Sequence, residues 1–324
     1  MRKPIVAITI GDWNGIGPEI GLKALRDRSI HRICTPVLVG PWPAFAQWCR
    51  RLKLRPPCLT IIEPPATPAV DISPGRVSAS AGRAAAASVR CATLLALRGR
   101  VDALVTAPVS KQALHKGGIE YPGQTEFLKD ITHSAHAGMM LVAGSLRVGL
   151  LTIHVPLRRV ASLITKPLVT EQVRLFHRSL QVDWSLPRPA IALLGLNPHA
   201  GEGGDIGTEE EEILRPAIRR LRKEGMDIAG PFPADAFFAR GRHATFHAVV
   251  APYHDQGLIP LKMAARGKGV NVTVGLPIVR TSPDHGTAFD IAGGGTADPS
   301  SMIEAIRTAA GVVRRRRKHK GALT

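Results

Sequence analysis

The sequence predicts an α/β protein, because short apolar runs rich in β-branched residues alternate along it with segments of helical spacing. Three such runs, in LLTIHVP, LLGLNPHAG and AVVAPYHDQG, each deliver a histidine into a turn rich in glycine or proline. Runs bounded by Gly and Pro read as buried strands, and their alternation with helices argues for largely parallel sheet covered by helices on both faces. A polar residue at the edge of such a strand faces whatever lies there. Chemistry is therefore expected in the turns.

Taken in order, IVAITIGDWNGIGPEIGLKALRD reads as strand, glycine loop and helix, with Pro18 suited to a helix start. Its glycines are spaced GxxxGxG, not GxGxxG, and no ribose-binding acid follows, so a Rossmann fingerprint is not assigned. The loop serves equally as a structural turn or as a site wall. The apolar run is too short for a secretion signal, and a first buried strand is the better reading. Ile33 to Gly40 forms a second strand, Pro41 to Leu52 a helix, and the proline-rich residues 53–75 say little. Ser80 to Leu97, with its alanine run, is a helix by propensity. Ala103 to Thr106 is a strand leading into Ser110 and Lys111, where Ser110 suits a helix cap. Val169 to Leu180 is helical. Thr208 opens a helix whose acidic first turn, Glu209 to Glu212, reads as capping and solvated surface.

The 324 residues suffice for two domains, and 44% hydrophobic content with only 4% aromatics implies a core of Ala, Val, Leu and Ile. No apolar run approaches the roughly 18–20 residues of a membrane helix. Cys34, Cys49, Cys58 and Cys91 lack metal-ribbon spacing, which fits reduced thiols and a cytoplasmic location. The net charge of +18 comes from scattered arginines and a cluster from Arg314 to Lys320. No recognition module for RNA or DNA accompanies it, so the cluster reads as a solvated tail and no nucleic-acid partner is expected.

The densest polar stretch runs from Ala251 to Asp298, with His254, Asp255, Lys262, Asn271, Arg280, Asp284, His285 and Asp290 between glycines and apolar runs. Neutral imidazoles bind divalent cations, and a lysine with an arginine suits a phosphate. With His154 and His199 upstream, three histidines at strand ends read as a metal site drawn from distant parts of the chain.

The blocks ITIGDWNGIGPEI, VTAPVSKQAL, YPGQTEFL, LTIHVPLR, GLNPHAGEGGDIGTEE, GPFPAD, YHDQGLIPLK, GVNVTVGLPIVRTSPDHGTAFDIAG and GTADPSSM occur in that order. With them the chain resembles the 4-hydroxythreonine-4-phosphate dehydrogenase (PdxA) family over nearly its whole length. The resemblance implies a two-domain α/β/α fold like that of isocitrate and isopropylmalate dehydrogenases, with an active cleft between domains. The domains are expected at 1–105 plus 255–324, and at 106–254, the latter carrying metal ligands and dimer contacts. The resemblance also implies a homodimer with its active site at the interface, one divalent metal (Zn, Mg or Co), and NAD or NADP.

The implied reaction oxidises 4-hydroxy-L-threonine 4-phosphate to 2-amino-3-oxo-4-(phosphooxy)butanoate, which decarboxylates to 3-amino-2-oxopropyl phosphate in pyridoxal phosphate biosynthesis. His154, His199 and His254 would hold the metal. Asp255 would be a base or would orient its neighbouring ligand, and the second role is favoured. Lys262, Asn271, Arg280, Gln124 and Thr125 would hold substrate, and Asp284, His285 and Asp290 the nucleotide. The Ser110 loop would border the cleft. Gln124 departs from the family's usual histidine, and glutamine cannot carry charge. Threonate or erythronate 4-phosphate, or an aromatic cis-dihydrodiol, are therefore alternative substrates. A non-catalytic polyanion-binding protein is the reading from another class.

Overall fold

In the computed structural model, which describes residues 2–321 apart from Ala66 and Pro122, the apolar runs form strands. These are β1 (Ile5–Thr9), β2 (Thr35–Val39), β3 (Ile61–Ile62), β4 (Ala103–Val105), β5 (Gly138–Ala143), β6 (Leu146–Leu150), β7 (Ile191–Leu194), β8 (Ile228–Phe232), β9 (Ala248–Ala251), β10 (Val270–Val274) and β11 (Val279–Pro283). The chain divides into two compact units, Met1–Ala137 with Leu276–Arg314, and Gly138–Gly275 with Arg315–Thr324.

The first unit has strand order β3-β2-β1-β4-β11, and each of these pairings is parallel. Val6 faces Ala103, which in turn faces Val279. The helix Ala79–Leu97 starts at Ser78, whose hydroxyl accepts from Ala81 N at 3.2 Å. Its Val89 and Ala92 pack with Ala7, Leu104, Leu114, Phe127 and Leu128 in one apolar cluster.

The second unit has strand order β10-β5-β6-β9-β7-β8, parallel from β6 through β8 and antiparallel at β10–β5 and β5–β6. The apolar run that leads to His154 is the second strand of a β5–β6 hairpin, whose first strand is not among the expected elements. Its two-residue link begins at Gly144 with φ 59°, the positive value that a II′ turn requires at that position. Along this hairpin Met139, Leu141, Val148 and Leu150 pack toward Leu258 and Leu261 of the helix His254–Ala265. Gly149, between Val148 and Leu150, lies instead against the ring of Phe176, which is fully buried on the helix Lys166–Asp183. Strand alternation thus divides the two helices between the two faces.

The expected breaks at 105/106 and 254/255 are displaced to 137/138 and 275/276. The helices Lys111–Lys116 and Gln124–Ile131 bury Leu114, Phe127 and Ile131 in the first unit's core, whereas the helix His254–Ala265 is the cover of β5 and β6. Packing, not the site motifs, sets these boundaries. The basic C-terminus also differs from a solvated tail. It ends the helix Ser300–Gly321, where Arg316 Nε donates to the buried Asp183 carboxylate at 2.6 Å and Arg315 to the Asp183 carbonyl. The side chain of Lys320 and residues 322–324 lie outside the described residues. No helix among the described residues is long and apolar enough to cross a membrane.

Candidate active site

The three histidine-bearing turns all follow parallel strands of the second unit. His154 lies beyond β6, His254 beyond β9 and His199 beyond β7, and these strands are neighbours in the order β6-β9-β7. Parallel neighbours emit their following loops at the same edge, which is where ligands bind in open α/β sheets. The β6–β9 pairing continues past the strands, with Leu151 N donating to Ala251 O at 2.9 Å and Thr152 Oγ1 to Pro252 O at 2.7 Å. The next residues are then delivered side by side, and the rings of His154 and His254 stand 5.7 Å apart between centroids at 42°. Together with Thr152, Leu157, Tyr253 and Asp255 they line a cavity of about 320 Å³.

His254 opens its helix, and Asp255 lies in the first turn, where a carboxylate suits the helix dipole. Asp255 Oδ1 sits 2.6 Å from His254 Nδ1. That contact directs the other ring nitrogen, Nε2, toward any ligand, an arrangement common among metal-bound histidines. His199 is exposed and left-handed, at φ 53° and ψ 21°, within the segment Pro198–Gly204. Among the described residues no group of three His, Cys, Asp or Glu side chains is placed to hold a metal ion. The structure thus pairs His154 with His254 but does not gather His199 with them inside one chain. Of the other expected site residues this unit also holds Lys262, exposed on the His254 helix, and Asn271 on β10, whose Oδ1 is buried with no hydrogen-bond partner among the described residues.

The first unit holds the other candidates. Arg280, on β11, is only 3% exposed, and burial pushes its guanidinium down to about 10, partly offset by Glu126. It therefore stays protonated at neutral pH. Its Nε and Nη2 donate to Thr106 Oγ1 at 3.1 and 2.6 Å, and Nη2 also donates to Gln124 Oε1 at 3.2 Å. Gln124 Nε2 in turn donates to Ala107 O at 3.4 Å. Gln124 and Thr125 are half-buried at the start of the helix Gln124–Ile131. Asp284, His285 and Asp290 lie on the segment after β11: Asp284 N donates to Ser301 Oγ at 3.3 Å, His285 Nδ1 lies 3.1 Å from Gly286 O, and Asp290 is exposed. The glycine loop reaches the same segment, with Ile16 N donating to Thr287 O at 2.9 Å.

That loop is built around Asn14. Its amide donates to Arg76 O and Ser78 Oγ, and its side-chain oxygen accepts from Ser73 N at 2.8 Å, so Asn14 ties the turn to residues 73–78. Ser110 caps the helix Lys111–Lys116 by accepting from Ala113 N at 3.2 Å.

Among the acids buried at these strand-end loops, Asp12 and Glu210 escape sequence reasoning. Asp12 is fully buried in the glycine loop, and burial pushes its carboxyl up to about 6, against the opposing backbone N–H groups of Asn14 and Ser110. Its Oδ2 has no hydrogen-bond partner. Glu210 belongs to the acidic run read as solvated capping, yet it is fully buried against the His199 loop. The signal for Asp12 is its place directly after a strand and glycine; for Glu210 no sequence signal separates it from its neighbours.

A family model described as "Pyridoxal phosphate biosynthetic protein PdxA" matches residues 32–309. The 4-hydroxythreonine-4-phosphate dehydrogenase of Trichlorobacter lovleyi is 43% identical over 327 residues, covering 95% of this chain and 97% of that protein. A protein of Oceanobacillus iheyensis with the provisional name D-threonate 4-phosphate dehydrogenase is 41% identical over 325 residues, covering 95% and 97%. The crystal structure of 4-hydroxythreonine-4-phosphate dehydrogenase from Klebsiella pneumoniae superposes with a TM-score of 0.86 at 37% identity, covering 96% and 98%. Isocitrate dehydrogenase from Methylococcus capsulatus, at 16% identity over 100% of this chain and 90% of that one, has a TM-score of 0.51 and shares the fold alone. The chain belongs to the PdxA family.

Proposed function

We propose that this chain oxidises 4-hydroxy-L-threonine 4-phosphate with NAD or NADP to 2-amino-3-oxo-4-(phosphooxy)butanoate, which loses CO2 to give 3-amino-2-oxopropyl phosphate. Membership of the family makes the protein an NAD(P)-dependent dehydrogenase. The observation that carries the site assignment is the delivery of three histidines by the adjacent parallel strands β6, β9 and β7, with two rings already 5.7 Å apart.

The donor set fits a divalent cation such as Zn, Mg or Co, since imidazoles suit Zn and Co and Asp255 fixes the orientation of one ring. His154, His199 and His254 would hold that ion, which when bound supplies Lewis acidity toward the substrate hydroxyl. Asp284, His285 and Asp290 are the residues proposed beside the nicotinamide, which when bound would supply the hydride acceptor. The chain's own work is placement. Arg280 is held by Thr106 and Gln124 before any ligand arrives, so its charge is preorganised for a phosphate or carboxylate. Lys262 adds a mobile charge, and Asn271 with Gln124 and Thr125 adds neutral hydrogen bonds to hydroxyl and amine groups. Asp255 orients His254.

A homodimer with the site at its interface is part of the proposal. Ile259 and Met263 stand one turn apart on the helix that His254 opens and are 62% and 74% exposed, and Leu157 beside His154 is 71% exposed. A second copy covering them would bring its own histidines close to this edge and complete the ligand set. D-Threonate 4-phosphate is the second reading. It is favoured by the uncharged Gln124 on Arg280 and by the Oceanobacillus relative.

Rates of NAD and NADP reduction by metal-reconstituted protein on 4-hydroxythreonine 4-phosphate, threonate 4-phosphate and erythronate 4-phosphate test the assignment. The highest kcat/KM is expected for the amino acid phosphate. A preference for threonate 4-phosphate would transfer the assignment to the second reading.

A further inference from the structure

We infer that Glu210 and Gln256 are positioning residues that set the His199 loop against the helix opened by His254. The inference rests on the reading of His199 and His254 as ligands of one cation. Residues 199–203 are left-handed throughout, with φ of 53° at His199, 53° at Ala200, 80° at Gly201, 43° at Glu202 and 71° at Gly203. Three of these are not glycine, and L side chains rarely adopt such a backbone unless the surroundings over-determine it.

Two side chains provide that determination. Glu210 accepts through Oε1 from the backbone N–H groups of Leu196 at 2.7 Å and Asn197 at 2.8 Å, and through Oε2 from the Asn197 amide at 2.9 Å. These are charge-assisted bonds to a carboxylate that is 0% exposed. Gly201 lies so close that an added Cβ would stand 2.7 Å from Glu210 Oε2, so the carboxylate also fills the inside of the turn. Gln256, two residues after His254, donates Nε2 to Gly195 O at 2.7 Å. The root of the His199 loop is therefore fastened to the helix start that presents His254 and Asp255. Glu210 holds the adjacent Leu196 and Asn197 of the same loop root and lines the turn at Gly201. Neither residue need touch the cation, for each acts through the position it imposes on His199.

Cobalt(II) titration of the full-length metal-free protein, followed by visible absorption, tests this on Gln256→Ala, Glu210→Gln and His199→Ala. Gln256→Ala and Glu210→Gln are expected to weaken Co²⁺ binding about ten- to a hundredfold, the range for residues that orient ligands, and to alter the absorption bands of the bound ion. The melting temperature of metal-free Gln256→Ala should stay near that of the wild type. Binding within twofold of wild type and unchanged bands in Gln256→Ala, with binding lost in His199→Ala, would overturn the positioning role while leaving His199 a ligand. Wild-type binding by His199→Ala would overturn the ligand reading and this inference with it. Should Glu210→Gln fail to fold, Gln256→Ala decides alone.

Discussion

Arg280 combines a buried charge with a fixed orientation, and the orientation depends on its planar fork reaching Thr106 and Gln124 together. Lysine has the charge without the fork. Arg280→Lys is expected to raise KM for a phosphorylated substrate about ten- to a hundredfold, the scale of a charge-assisted pair, with a smaller change in kcat. Steady-state kinetics read both. Asp12 sets a pH dependence of stability. Its folded carboxyl titrates at about 6, above the unfolded value, so the folded state holds the extra proton between about pH 4 and pH 6. Stability should fall as pH rises through that window, by on the order of 3 kcal/mol. Urea denaturation from pH 4 to 8 should show this fall in the wild type and a flatter curve in Asp12→Asn. Arg280 and the histidines are legible in sequence because their chemistry is uncommon beside glycine and proline. Asp12 and Glu210 are not, because an acid at a strand end or in an acidic run looks the same buried or solvated. Only the fold removes their water.

At the scale of elements, the strand-to-helix alternation is readable because short apolar runs bounded by Gly and Pro alternate with segments of helical spacing, and β1, β4, β7 and β9 follow such runs. The β5–β6 hairpin hides because β5 is buried throughout and only Gly144 and Ser145 separate it from β6, so the two strands run together as one apolar stretch. The C-terminal helix hides a second feature. Seven consecutive residues from Arg314 to Lys320 read as solvated charge, yet two of the arginines close on Asp183, which also accepts from Ser179 Oγ at 2.7 Å. Removing the carboxylate takes this partner from the Arg316 guanidinium, while the Arg315 bond to the backbone carbonyl remains. Asp183→Ala should therefore lose about 3 kcal/mol in urea denaturation, the scale for breaking a buried pair from one side. A loss below about 0.5 kcal/mol would make the contact a surface pair of no consequence.

For the whole molecule, each compact unit carries its own set of the proposed site residues. The second holds the histidines, Asp255, Lys262 and Asn271, while the first holds Arg280, Gln124, Thr125 and the segment Asp284 to Asp290. A discontinuous plan is what the family resemblance implies, whereas the boundary positions follow from which core buries Phe127 or Leu258. The exposed Ile259 and Met263 assign the proposed dimer a location. Ile259→Glu with Met263→Glu should sediment as a monomer and lose metal affinity together, whereas a monomer that binds metal as the wild type does would separate the two. Oxidation followed by decarboxylation at a histidine-held metal is tested by recording nucleotide reduction and CO2 release together with 4-hydroxythreonine 4-phosphate. One CO2 is expected for each NADH or NADPH formed, both abolished in His199→Ala and by metal removal. Nucleotide reduction that persists at the wild-type rate in His199→Ala, or that proceeds without CO2, would contradict it.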